Sequence, residues 1–292
     1  MHTRALGTTG LQVPALGLGA GSLGDPALPE SRVRAVLDRA LALGVTLIDS
    51  APSYGLSEAR IGRWLGPRRQ DVLLSTKVGY GVPGVPDWTP RAVTAGVDAA
   101  LTRLGTDWLD LVHLHSCTAE TLAWGGVLEA LDDARQAGKV RVVSYAGDGA
   151  GVDHAVRSGL VGAVMPSASV LDQGFLRTGL GAAKDRGLGV VAKRPLATAP
   201  WRHRGPPGAT DQRTYWDRLQ ALGLDFGPDW PGIALRFVAF TWGIDAVLTG
   251  TTDPEHLAQS AAAVALGPLP DAQRRAIEDA WSTHGCAWPP VV

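Results

Sequence analysis

Four ionisable residues, Asp49, Tyr54, Lys77 and His115, stand where proton chemistry would need them. Asp49 closes an apolar run in LIDSAPSYG, and Tyr54 follows five positions later beside a glycine. Lys77 ends the run VLLSTK, and His115 ends LDLVHLH. An ammonium at the inner end of a buried strand costs several kcal/mol unless it is paired, and Asp49 is the available partner. A lysine held there would lower the pKa of a nearby tyrosine phenol, normally about 10, and so improve it as a general acid or base. His115 could then hydrogen-bond the reacting oxygen. Taken singly, each residue has an ordinary explanation: a capping carboxylate, a rim aromatic, a solvated strand end, a satisfied polar group. The chemistry requires an architecture that brings all four together.

That architecture is readable in the alternation of short β-branched runs and longer helical stretches. The β-rich runs are ALGLG (15–19), VTLID (45–49), VLLSTK (72–77), LDLVHLH (109–115), VRVVSY (140–145), AVMP (163–166), GVVAK (189–193) and DAVLTG (245–250). Several of the intervening segments carry apolar residues at helical spacing and end in Gly. Strands separated by helices must pair in parallel, because each return crossing travels the length of the sheet. Eight such units predict an α/β fold, a closed (β/α)8 TIM barrel forming one domain over residues 1–292, with a doubly wound open sheet as the rival. No G-x-G-x-x-G follows a strand, which weakens the rival. A Thr-Gly pair near the start predicts a short N-terminal hairpin. Residues 198–230 are too rich in Pro, Gly and Trp for a simple crossover and predict a long insertion after the seventh barrel strand, serving as a lid, with a helix near Tyr215–Leu222. After Pro270 the pattern predicts an extra helix and a coil tail that covers the barrel mouth.

Bulk properties narrow the partner. Hydrophobic residues make up 45% of the chain and charged residues 19%, enough for a large core. With 27 Lys+Arg against 28 Asp+Glu there is no electrostatic footprint for nucleic acid or an anionic membrane. A small molecule is the expected partner. Cys117 and Cys286 are far apart and show no ligand-type spacing, so free thiols, no metal site and a reducing compartment are expected. No signal-peptide core opens the chain and no apolar run approaches a membrane span; a cytoplasmic location follows as an expectation.

The stretch IDSAPSYG resembles the Asp-x-Ala-x-x-Tyr-Gly signature of the aldo-keto reductases, STK resembles their strand-three lysine, and DLVHLH followed by Ser116 their strand-four histidine. GKVRVV, AKRPLA and GIDAVLTGTTDPEHL fall where that superfamily carries strands five, seven and eight, so the resemblance covers nearly the whole chain. It implies an NAD(P)H-dependent oxidoreductase that reduces an aldehyde or ketone, or runs the reverse oxidation. Tyr54 would be the general acid/base, Lys77 and Asp49 would tune it, and His115 would orient the carbonyl. NADPH is the implied cofactor, with NADH possible, and a monomer the implied state. His113 shares a strand face with His115 and is expected to be a hydrogen-bonded filler of the barrel interior.

The positions that would contact the cofactor depart from the family pattern. Ala146 and Gly147 stand where a Ser-Asn pair usually holds the carboxamide, with Asp148 following; Met165 replaces a Gln. Lys193 replaces the stacking aromatic and is followed by Arg194, Pro195 and Leu196. The cationic pair could hold pyrophosphate or supply a guanidinium plane. Past the last strand, Gly250, Thr251 and Thr252 lead into a helix N-terminus suited to an anion, where His256 replaces the family's Arg, and Gln259 and Ser260 its Glu-Asn pair. A second function class stays open: proton transfer without net redox, as in a dehydratase or isomerase, on the same barrel and tetrad. Trp88, Trp124 and Trp201 are candidate walls of a substrate pocket, although loop tryptophans also serve as packing anchors.

Overall fold

The computed structural model describes residues 1–291. Ten strands occur in it. The first two, β1 (Thr3–Ala5) and β2 (Gln12–Pro14), form an antiparallel hairpin. The rest are β3 (Leu16–Gly19), β4 (Leu47–Asp49), β5 (Leu73–Val78), β6 (Leu109–His115), β7 (Val140–Ala146), β8 (Ala163–Met165), β9 (Gly189–Ala192) and β10 (Ala246–Thr249). These eight pair in parallel and in chain order, and β10 returns to β3 to close the (β/α)8 barrel.

Two apolar cores follow from the period-2 alternation of the strands. Along β6, Val112 and Leu114 join the outer layer between barrel and helices, while Leu111 points inside. The interior core includes Leu47, Leu111, Val142, Ala163 and Val191, and the hairpin closes one end of it with the buried Leu6, Leu11 and Val13. Met165 and Leu248 belong to the same cluster and line a cavity at the other end.

The helices carry the signals that their sequences announce. Pro90–Leu104 begins with Thr89 accepting a hydrogen bond from the Ala92 amide, has Pro at its first turn, buries Val93, Val97, Ala100 and Leu104 along one stripe, and stops at Gly105 with φ +63°. The long insertion after β9 holds a 3-10 turn (Pro200–Arg202) and a helix, Thr210–Leu222, that starts five residues earlier than its apolar pattern predicts. Trp201 stacks on Trp230 at 5.1 Å between ring centroids, which ties the two ends of the insertion together. A helix at Asp271–His284 precedes the tail. The tail does not cover the cavity as expected. Its Pro289 carbonyl accepts from Arg218, its Val291 amide donates to Asp172 Oδ2, and its Val291 carbonyl accepts from Arg194 Nη1, so it docks beside the insertion and reaches the cavity edge only through Arg194. No helix among the described residues is long and apolar enough to cross a membrane.

Candidate active site

The stagger of the barrel brings the sequence candidates to one level. Asp49 is in register with Ser75, two residues before Lys77; Lys77 is in register with His113, two before His115. Each neighbouring strand thus contributes a residue one pleat further along. Lys77, 2% exposed, donates to Asp49 Oδ2 at 2.5 Å and to the Ser50 carbonyl at 2.7 Å. Its Nζ lies 4.9 Å from the centroid of the Tyr54 ring. Burial pulls the ammonium pKa down, but Asp49, and after it Tyr54, more than offset this and raise it. The lysine therefore stays charged.

Tyr54 is aimed by a turn that leaves little freedom. Its amide donates to the Ala51 carbonyl, its carbonyl accepts from Ser57, and Gly55 takes φ +54°. The turn is pressed against the loop after β3: the Leu56 amide donates to the Gly24 carbonyl, and a Cβ on Gly24 would lie 1.5 Å from the Tyr54 carbonyl oxygen. Only glycine fits there.

His115 is half-buried at the end of β6, its ring edge-on to Tyr54 with centroids 6.4 Å apart. Burial first, then the positive charges of Lys77, Lys193 and Arg194, lower its pKa to about 3, so the imidazole is neutral at working pH. Its Nδ1 is 2.6 Å from the Tyr80 hydroxyl, which is 2.7 Å from Ser53 Oγ. His113 is fully buried with Nε2 2.8 Å from Ser75 Oγ; Ser75 in turn donates to Asp49 Oδ1. Burial, Lys77 and His115 hold the His113 pKa well below the usual range, so it sits as a neutral member of the barrel layer.

Asp49, Tyr54, Lys77 and His115 line one cavity of about 480 Å³ at the carboxyl ends of the strands. Opposite them stands a second polar cluster. Lys193 donates to Asp148 Oδ2 at 2.5 Å and to Ser167 Oγ at 2.6 Å, and Asp148 also accepts from the Ser167 amide and hydroxyl. Met165, Arg194, Pro195, Leu196 and Gly250 line the cavity too, as do Gly19, Gly21, Ser22, Thr198 and Arg202, which sequence reasoning did not single out. The one sequence signal available for the glycines was the Gly-rich run after β3; Gly21 lies flat against the Tyr54 ring, where a Cβ would sit 3.6 Å away. Arg194, Ala197, Thr198 and Ala199 all take positive φ, a concentration of strained backbone at the cavity wall.

Other candidates lie elsewhere. Trp88 packs its ring over Gly79 and beside Tyr80, at 5.6 Å between centroids. Trp124 is 85% exposed, and Trp201 is held by Trp230. None of the three lines the cavity. Thr251, Thr252, His256, Gln259 and Ser260 run along the turn and helix after Gly250, beyond the cavity. Gln259 faces a separate surface hollow with Met1, His2 and Arg39.

Comparison with known proteins decides the family. A model described as the aldo/keto reductase family matches residues 15–282. The chain belongs to that family. It is 28% identical to an L-galactose dehydrogenase of Arabidopsis thaliana over 90% of this chain and 88% of that one. It is 27% identical to a D-threo-aldose 1-dehydrogenase of a Pseudomonas species, with 90% and 92% covered. An aldo-keto reductase structure from Bacillus halodurans in its holo form superposes with a TM-score of 0.84 at 27% identity, covering 98% of this chain and 97% of that one. The protein is thus an oxidoreductase-type (β/α)8 barrel.

For this aldo/keto reductase the departures noted in the sequence acquire physical reasons. Gly147 is small because Tyr145 fills the space beneath it: a Cβ there would lie 2.4 Å from the Tyr145 hydroxyl, which donates to the Cys117 carbonyl. Ala146 is fully buried in the interior core. Lys193 follows β9 instead of closing it, and its ammonium is turned to Asp148 and Ser167. The cavity nonetheless suits a dinucleotide. Met165 and Leu248 give an apolar floor. Its charged lining comprises Lys77, Lys193, Arg194 and Arg202 against Asp49 and Asp148, so two guanidinium charges remain for a diphosphate. Thr198, on the cavity wall, has a buried Oγ1 without a hydrogen-bond partner among the described residues.

Proposed function

We propose that this enzyme interconverts a carbonyl compound and its alcohol with a nicotinamide cofactor, NADPH or NADH, and that Tyr54 is its general acid/base. The observation that carries this is the buried Lys77 ammonium, paired with Asp49 at 2.5 Å and facing the Tyr54 ring at 4.9 Å. A bound nicotinamide supplies or accepts the hydride at the substrate carbon. The chain's own residues handle the oxygen. In the reducing direction Tyr54 gives its proton to the carbonyl oxygen, and the negative charge it acquires faces Lys77. Asp49 keeps Lys77 charged and fixes its direction, while His115, neutral, donates a hydrogen bond that orients the carbonyl. Arg194, Arg202 and Thr198 would hold the cofactor's phosphates, and Met165 and Leu248 would lie against its ring. The substrate is a small molecule.

Quenching of tryptophan fluorescence by NADPH and NADH, followed by activity assays of Tyr54→Phe on aldoses and small aldehydes, tests the reading. Saturable quenching and loss of turnover in Y54F with cofactor binding intact support it; full activity in Y54F would refute it. A second reading, proton transfer without redox on the same residues, is favoured by one observation: Lys193, at the usual stacking position, is spent on Asp148 and Ser167. Absence of quenching at millimolar NADPH and NADH would select it.

A further inference from the structure

Tyr80 belongs to none of the sequence motifs, yet its hydroxyl makes the one side-chain hydrogen bond of His115 among the described residues. Nothing about that contact alone says which atom donates. Chemistry supplies the direction. The neutral imidazole carries one proton, so either Nδ1–H donates to Tyr80 and Nε2 presents a bare lone pair, or Tyr80 donates to Nδ1 and the proton sits on Nε2. Tyr80 has two partners, His115 Nδ1 at 2.6 Å and Ser53 Oγ at 2.7 Å. A phenol is a stronger acid than an aliphatic hydroxyl, and an imidazole nitrogen is a stronger base than a hydroxyl oxygen. The favoured order is therefore Ser53 O–H to Tyr80 oxygen, then Tyr80 O–H to Nδ1. Burial raises the Tyr80 pKa, which keeps the phenol protonated and able to donate.

The loop is built to hold that hydroxyl in place. Trp88 donates its amide to the Gly79 carbonyl at 2.6 Å and takes φ +59°, a conformation uncommon for a bulky residue. Its ring occupies the space above Gly79, where a Cβ would meet it at 2.4 Å, and lies against the Tyr80 ring. Tyr80 in turn is tilted against His115 with centroids 5.3 Å apart. Trp88 is thus the anchor of the loop that carries Tyr80.

We propose that Tyr80 is a positioning residue: its phenol donates to His115 Nδ1 and leaves the ring's proton on Nε2, available to the substrate oxygen, with Ser53 as the outer member of the relay. The inference rests on the reading that His115 meets that oxygen. A proton on the wrong nitrogen would give the oxygen a lone pair instead of a donor, a tautomer error that costs orders of magnitude in enzymes relying on an oriented imidazole.

The test is long-range proton–nitrogen correlation NMR on protein carrying ¹⁵N-histidine, with His115 assigned through H115Q. Wild type should show the Nε2–H tautomer. Tyr80→Phe, which keeps the ring, should populate Nδ1–H and lower kcat/KM by about tenfold or more, with cofactor Kd unchanged within about twofold. An Nδ1–H tautomer in wild type overturns the proposal, as does a Y80F spectrum that retains the wild-type tautomer, whatever happens to the rate. The wild-type spectrum decides even if Y80F folds poorly. Undiminished activity in Y54F would sink the functional reading and leave the tautomer result standing.

Discussion

Lys77 Nζ lies 4.9 Å from the centroid of the Tyr54 ring. The position is held from the other side by Asp49 at 2.5 Å, so the ammonium cannot retreat without stranding a buried carboxylate. Lys77→Met, which preserves most of the volume, should therefore damage two quantities. Turnover should fall by about 10²-fold or more. Unfolding free energy should drop by about 3–5 kcal/mol, because Asp49 is left buried and unpaired. Steady-state kinetics and urea denaturation measure the two separately.

His115 should not shape the pH profile between pH 5 and 8. Its folded pKa of about 3 lies below the ordinary histidine value, so the ring is neutral throughout that window. The linkage sign is that of a depressed group: the stability it contributes is present above the unfolded value of about 6.5 and is lost as pH falls toward 3. A histidine limb near 6.5 in kcat/KM would contradict the neutral ring.

Asp172 has the opposite sign. Burial pushes its carboxyl up to about 6, with Arg218 opposing the shift. A folded pKa raised above the unfolded value means stability that is full below about pH 4 and is lost as pH rises through 6. Asp172→Asn should flatten that slope, the gap between the two proteins changing by about 2–3 kcal/mol from pH 4 to 7 in urea midpoints.

Gly24→Ala tests the fit between the loop after β3 and the turn carrying Tyr54. A Cβ 1.5 Å from the Tyr54 carbonyl oxygen cannot be absorbed by a side-chain movement, since both partners are backbone. The loop must separate from the turn. A stability loss of about 1–3 kcal/mol is expected, with a larger proportional fall in kcat than in cofactor affinity. Differential scanning calorimetry and fluorescence titration give the comparison.

Arg202 is an exposed cation at the cavity that forms no ion pair among the described residues. Arg202→Ala should weaken NADPH or NADH binding by about three- to tenfold, and the difference should shrink in high salt.

How much of this could be read in advance depended on distance along the chain. The eight barrel strands were legible because β-branched runs and helical stripes alternate, and the run LDLVHLH coincides with β6, Leu109–His115. Asp49, Lys77 and His115 were legible because strand ends in such a barrel share one face. The opposite wall was not. Asp148, Ser167 and Lys193 meet across separations of 19, 26 and 45 residues, and no local period announces that one lysine is neutralised by that aspartate. The reason for Gly147 lay in the volume of Tyr145, which composition and spacing do not express. For Trp88 and Trp201 the sequence leaves pocket wall and packing anchor both open, and the packing of Trp88 on Gly79 and of Trp201 on Trp230 depends on partners 9 and 29 residues away that no local pattern names.

The hairpin that inserts Leu6, Leu11 and Val13 into one end of the barrel completes an interior already filled by Leu47, Leu111, Val142 and Val191, so no passage runs through the molecule. With that end stoppered, whatever approaches Tyr54 must come and go by the same doorway between the strand-end loops. A single doorway favours an ordered sequence of entry and release over a random one, and the pattern of product inhibition tells the two apart.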